Sequence, residues 1–291
     1  MLRQGECMEH DSACVQKPVR VIAITAGKGG VGKSTVALNL AVTLAARQQN
    51  VVLMDADLGL GNLDIMLGLH PRQNLSHVVR GVCAIEDILV EGPCGVKIIP
   101  AASGNDFMAE LSPVEHAGLI NACNALPDNL DCMIIDTAAG ISDTVLSFAR
   151  SAQEVVVIVC DEPTSITDAY ALVKVMSHRY GWTHFRVLAN GVSNARDGRK
   201  LFDRLCRAAN QFLNVHLTYA GAIPMDEHVR FAGRQQQPFV LAFPESPASR
   251  ALKELAESIQ HWPPVQGVGG NTSFFLERMV AKPISVDGRT L

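Results

Sequence analysis

A chain of 291 residues, 48% hydrophobic and 19% charged, holds enough apolar material for one sizeable core, which excludes the disordered and fibrous classes. Its formal net charge of −4 supplies no overall attraction to nucleic acid or an anionic membrane surface, so any such binding must come from a local patch. No stretch reaches the roughly 18 apolar residues of a membrane span, the first twenty residues lack an apolar signal core, and the eight cysteines form no C-x-x-C pair, so the expected setting is the reducing cytoplasm.

In chain order, residues 1–19 read as a loose N-terminal extension. Short apolar, β-branched runs then recur at 20–25, 51–55, 96–100, 132–136, 154–160, 185–190 and 217–224, with helical patterns between them. Val36 to Ala46 is apolar almost all round, as in a buried crossover helix, whereas Ile166, Ala169, Tyr170, Val173 and Met176 share one helical face. Strands apolar on both faces and separated by helices predict a single α/β domain over 20–262, with a mostly parallel sheet covered by helices on both faces. A helix from Ala248 to Trp262 ends it. Residues 263–272 have the Pro- and Gly-rich composition of a linker, 273–283 predict a short amphipathic helix, and 284–291 form a tail. On that last helix Phe275, Leu276, Met279 and Val280 share a face, with Phe274 roughly opposite. Two readings of the face stay open: peripheral contact with the inner side of the cell membrane or its pole, and docking on the chain's own domain.

The densest chemical signal lies between the first strand and the first helix. Gly27-Lys28-Gly29-Gly30-Val31-Gly32-Lys33-Ser34 matches G-x-x-x-x-G-K-[ST], in which glycines let consecutive N–H groups surround phosphates and the following helix adds its positive end. Lys33 is expected on the β- and γ-phosphates and Ser34 on Mg²⁺. Asp55 and Asp57 close one strand run and Asp136 another, where an open α/β sheet binds its ligands. A strand-terminal aspartate is often only a helix cap; beside a phosphate-binding loop, these are candidates for handling Mg²⁺ and water. Phosphoryl transfer needs chiefly positioning and charge neutralisation, so no Ser, Cys or His nucleophile is required.

The second lysine of the loop, Lys28, together with Asp55-Ala56-Asp57 and Asp136-Thr137-Ala138-Ala139-Gly140, resembles the deviant Walker A ATPases, the group that includes MinD, ParA and the nitrogenase iron protein. Within that group, Asp55 to Asp64, Asp136 to Gly140 and Asp161 to Ala171 are similar to the MinD-like regulators of flagellar number, the FleN (FlhG) family, over about residues 20–282. The resemblance implies an ATP- and Mg²⁺-dependent ATPase that closes into a homodimer. It makes Lys28 the residue that reaches phosphates held by the other subunit. Asp57 would position the attacking water, Asp136 would hold Mg²⁺ through water, and Thr35 would touch the α-phosphate. Asn190 and the loop Pro224-Met225-Asp226 would recognise adenine; a strand-end cap and a turn are the plain structural alternative. The implied partners are a flagellar transcriptional activator of the FleQ type and the GTPase FlhF. Some members carry an N-terminal Asp-Gln-Ala…Leu-Arg helix that stimulates that GTPase, and residues 1–19 contain no such string. The alternative function is a ParA- or MinD-like ATPase for DNA partitioning or for positioning at a cell pole or division site. Arg199, Lys200, Arg204 and Arg207 read as a solvated helix face, so direct DNA binding is not expected.

Overall fold

A computed structural model describes residues 19–102, 104, 108, 111–263 and 274–275. Eight strands form one sheet: β1 (Arg20–Ala26), β2 (Val51–Ala56), β3 (Val90–Glu91), β4 (Lys97–Ile99), β5 (Cys132–Ala139), β6 (Glu154–Val159), β7 (His184–Val192) and β8 (His216–Pro224). Their spatial order is β3-β4-β2-β5-β1-β6-β7-β8. Every neighbouring pair is parallel except β3 with β4. The seven strands expected from the apolar runs are all present. The eighth, β3, is only two residues long and half-exposed or exposed, too short to leave a periodic trace.

Successive side chains of the inner strands enter opposite cores. Val21 and Ala23 of β1, Val52 and Met54 of β2, and Met133 and Ile135 of β5 belong to one cluster, with the helices Pro113–Ala122, Asp143–Ser151, Pro163–Tyr180 and Ala195–Phe212 over it. Ile22, Ile24, Val51, Leu53 and Ile134 belong to the other, beneath α1 (Lys33–Ala45) and the helix Pro247–Gln260. This double burial explains why the strand runs carry no polar alternation. It also explains α1, whose residues from Val36 to Ala45 are all buried.

β1 lies at the centre, so the loop that leaves it emerges between the ends of β5 and β6. Register sets Asp55 opposite Asp136, and Asp136 opposite Ile24. The acids and the loop therefore reach the same edge of the sheet without any long excursion. At the other edge of the domain, Arg20 donates to the Trp262 carbonyl (3.0 Å), and the Arg186 guanidinium lies 3.7 Å from the Trp262 ring while pairing with Glu154 (2.8 Å).

Two residues of the expected 273–283 helix are described, and they differ from that expectation. Phe274 and Phe275 form a turn, Phe275 has a φ of +55°, and both side chains are fully buried in the core under the Asp143–Ser151 helix. Phe274 N–H donates to the Ser151 carbonyl at 3.2 Å. Phe275 thus faces its own domain and not a lipid surface; burying a side chain of that size is worth roughly 1.5 to 3 kcal/mol, and two adjacent rings anchor the segment. Leu276, Met279 and Val280 lie outside the described residues.

Candidate nucleotide site

The loop after β1 is shaped by what surrounds it. A Cβ on Gly27 would stand 2.2 Å from the Asp168 carbonyl oxygen, so only glycine allows the Pro163–Tyr180 helix to pass this close. Gly32, the N-cap of α1, has a φ of +92°, and a Cβ there would meet the Asn190 amide nitrogen at 2.4 Å. The chain then enters α1, whose first-turn N–H groups have no acceptor within the helix and so add their positive end to the loop. Lys33 begins that helix and is itself buried, 8% exposed. Burial lowers its pKa, while Asp136 and Asp57 act in the opposite direction, which places both carboxylates within electrostatic reach of its ammonium.

The three aspartates do different work. Asp55 accepts backbone N–H groups from Asp57 (3.2 Å), Asn62 (2.9 Å) and Leu63 (3.2 Å), so its carboxylate pins the loop that follows β2. Burial pushes its pKa up to about 7, against the pull of those three donors. Asp57 is half-buried and, among the described residues, accepts from Leu60 N–H (3.2 Å) through one oxygen. Asp136 is 1% exposed and neither of its oxygens has a well-formed hydrogen bond, although the Ser34 hydroxyl and Lys33 lie beside it and favour its charged form. Burial first, and then repulsion from Asp55, push its pKa up to about 8. A buried carboxylate with no partner beside a Ser hydroxyl is costly unless something cationic arrives. A hard divalent cation held by oxygen ligands fits that position, and the glycine-rich loop running into the α1 N-terminus fits polyphosphate.

Lys28 points elsewhere. Its ammonium donates to the Glu162 carboxylate and to Thr164 Oγ1 (3.0 Å), at the start of the Pro163–Tyr180 helix, and the Glu162 contact raises its pKa. Asn190, at the end of β7, donates to the Val31 carbonyl of the loop (2.7 Å). Pro224 pairs beside Val192, and Met225 N–H donates to the Val192 carbonyl (2.8 Å), so Asn190 and the Pro224–Asp226 segment lie at adjacent strand ends. Met225 is 76% exposed. Burial raises the Asp226 pKa, but Ala248 N–H (3.1 Å) and His228 outweigh that and hold it below the ordinary carboxylate range. The Asp226 side chain is therefore a helix cap and loop tie. Thr35 is half-buried in the first turn of α1.

The model of the ParA family, described as a NUBPL iron-transfer P-loop NTPase, matches residues 17–260. The chain belongs to the ParA family of P-loop NTPases. Among relatives, this ParA-family chain is 52% identical over 266 residues to the antiactivator FleN of Pseudomonas aeruginosa, covering 91% of this chain and 95% of that one. It is 32% identical over 238 residues to the flagellum site-determining protein YlxH of Helicobacter pylori, covering 81% and 80%. Its fold matches the cell division ATPase MinD of Pyrococcus furiosus with a TM-score of 0.70 at 27% identity, covering 83% of this chain and 98% of that one. The Pyrococcus horikoshii MinD complexed with Mg-ADP matches at 0.67 and 27%, covering 83% and 96%. It is an ATPase of the FleN and MinD type. Of the cysteines, Cys123 and Cys132 lie in the two cores, where burial pushes the Cys132 thiol up to about 12; Cys83, Cys94, Cys160 and Cys206 are also free thiols.

Two participants at the site have only a faint sequence signal. Glu162 and Thr164 lie within the Asp161–Ala171 block, but nothing local to that block indicates that they hold Lys28, 134 residues earlier. Asp55 was readable as a strand-terminal acid; that it anchors the following loop depends on where that loop turns.

Proposed function

We propose that this ATPase is a nucleotide-driven dimerisation switch in the control of flagellar number. The observation that carries the reading is the convergence of Lys33, Asp57 and a buried Asp136, which has no well-formed hydrogen bond, on the glycine-rich loop, with Lys28 paired to Glu162 and Thr164. Loop N–H groups and Lys33 bind and orient the β- and γ-phosphates. Ser34 and Asp136 hold Mg²⁺, which when bound neutralises phosphate charge. Asp57 orients the attacking water, and Thr35 contacts the α-phosphate. Asn190 and the Pro224–Met225–Asp226 backbone border the adenine. Lys28 leaves Glu162 and reaches the phosphates of the second subunit. Similarity to an antiactivator and to a flagellum site-determining protein supports a flagellar role. The proposed targets of the ATP dimer are a transcriptional activator of the FleQ type and the FlhF GTPase.

Light scattering of the full chain with MgADP, MgATP and a non-hydrolysable analogue tests the reading. The expected mass doubles with ATP or the analogue and not with ADP, whereas Lys28→Ala binds ATP yet stays monomeric. A Lys28→Ala protein that dimerises and turns over like wild type refutes the switch.

A further inference from the structure

Away from the nucleotide site, the start of the Pro113–Ala122 helix, one face of the Asp143–Ser151 helix and the end of the Pro163–Tyr180 helix line a cavity of about 340 Å³ on the other face of the sheet from α1. Among the described residues its polar wall is formed by His116, Asp143, Thr144, Ser147, Arg150, Arg179 and Tyr180. The Arg150 guanidinium lies 5.0 Å from the Tyr180 ring centre and the Arg179 guanidinium 5.5 Å from it, so two cations flank one aromatic ring. Arg179 is paired with Asp143 (2.9 Å). Arg150 has no carboxylate partner among the described residues. His116 is 5% exposed; its Nε2 lies 3.3 Å from Thr144 Oγ1, and its Nδ1 is buried with no hydrogen-bond partner. The remaining wall, from Leu111, Pro113 and Ala117, is apolar.

Two guanidiniums against one carboxylate leave a surplus of positive charge. The hydroxyls of Thr144 and Ser147 add neutral donors, and the Tyr180 ring offers a flat apolar surface. Guanidinium forks match the tetrahedral oxygens of a phosphate, and hydroxyls complete the shell without adding repulsion. A cavity of this volume lies at the small end of ligand pockets. We propose that it is a regulatory site for a small phosphate monoester bearing a ring or short apolar body.

The site's position says what an occupant acts on. Thr144 lies in the first turn of the Asp143–Ser151 helix, directly after the Asp136–Gly140 segment that carries the Mg²⁺ carboxylate. Arg179 and Tyr180 close the helix that opens on Pro163, where Glu162 and Thr164 hold Lys28. A ligand that ties Arg150 and Arg179 to Thr144 therefore connects the two helices that lead to Asp136 and to Lys28. This regulatory consequence rests on the switch reading; the binding itself does not.

The test uses the full chain saturated with MgADP, so that the phosphate-binding loop is filled. Phenyl phosphate, glycerol 3-phosphate, inorganic phosphate and, as a carboxylate control, malate are titrated calorimetrically into wild type, Arg150→Gln and Arg150→Lys. Saturable binding of phenyl phosphate is expected, at least tenfold tighter than malate, with at least a tenfold loss in Arg150→Gln and a smaller loss in Arg150→Lys, at unchanged thermal midpoint. Ser147→Ala, at a second position of the wall, should lose a few fold. Absence of saturable binding by every phosphate, or binding that is equal in wild type and Arg150→Gln, overturns the proposal. So does preference for malate, which would mark the cavity as a seat for an acidic side chain of a partner protein. In steady-state ATPase assays phenyl phosphate should change wild-type turnover at least twofold and leave Arg150→Gln unaffected. If no variant hydrolyses ATP, the switch reading fails while the binding isotherm still decides the site; if ATP turnover is normal and insensitive to a bound phosphate, the regulatory role fails.

Discussion

At the level of single residues, the site is defined by charges held where the fold alone gives them no satisfaction. Lys33 is desolvated as it enters α1, and its compensation is the carboxylates before it together with the phosphates that the loop is shaped to receive. Lys33→Ala removes a charge-assisted contact of about 1.5 to 3 kcal/mol, so ATP affinity measured by calorimetry should fall roughly ten- to a hundredfold or more. Wild-type affinity in that variant would sink the phosphate-loop assignment. Asp136 shows the opposite imbalance. Its folded pKa, about 8, lies above the unfolded value of 3.8, so the protonated carboxyl is the form the unliganded fold prefers. The contribution is therefore fully present below pH 3.8 and is lost as pH rises towards 8. Unliganded wild type should show a thermal midpoint that declines between pH 6 and pH 8. Asp136→Asn, which cannot ionise, should flatten that decline and raise the midpoint at pH 8 by several degrees while abolishing turnover. A steeper decline in the variant would contradict the assigned cause.

At the level of elements, the strand ends position the proposed catalytic groups through the loops they anchor. Asp55 closes β2 and gathers three backbone donors from the following turn, which fixes where Asp57 stands relative to Asp136. Replacing it with alanine leaves those N–H groups to water and should cost about 1.5 to 3 kcal/mol. Phosphate release should slow at least tenfold for Asp55→Ala while ATP binding survives; unchanged turnover would show that the loop holds its shape without it. The Asp143–Ser151 helix plays a comparable part after the same end of β5, since it leads away from the Asp136–Gly140 segment and receives Phe274 N–H on its last residue. Phe275 beside it is wholly buried. Truncation to Ala should destabilise by roughly 3 to 5 kcal/mol, read as a lower urea midpoint. A midpoint equal to wild type would mean that the segment contributes nothing to the core in solution.

At the level of the whole molecule, one sheet with two cores gathers the ends of six parallel strands, β1, β2, β5, β6, β7 and β8, at a single edge. Lys28 belongs to the phosphate-binding loop by sequence yet is bound to Glu162 and Thr164, 134 and 136 residues further along the chain. A lysine with that choice of partners suits a site finished by a second subunit, and the ATP-dependent doubling of mass, with its loss in Lys28→Ala, is the expectation at this scale. Arg150, Arg179 and Tyr180 are gathered in the same way, from the far ends of two helices, into a cluster that neither helix forms alone.

Much of this molecule is legible in its residues alone. The loop from Gly27 to Ser34 is a contiguous motif whose shape follows from glycine freedom and a helix start, so eight consecutive letters suffice to place it. The seven principal strands were legible because burial on both faces demands uninterrupted apolar runs, and the acids ending β2 and β5 fall at the ligand edge of any such sheet. Tertiary structure alone decided the strand order and the antiparallel β3, whose two residues lie below any period. It also decided that Asp55 anchors a loop, that Asp226 serves as a cap, and that Phe275 enters the core at a left-handed φ where a helical face had been expected. Asn190 on the Val31 carbonyl, 159 residues away, and Arg150 beside Tyr180 belong with these. Periodicity and motif spacing report on neighbours along the chain, whereas these contacts are set by which helices and strand ends the packed sheet brings together.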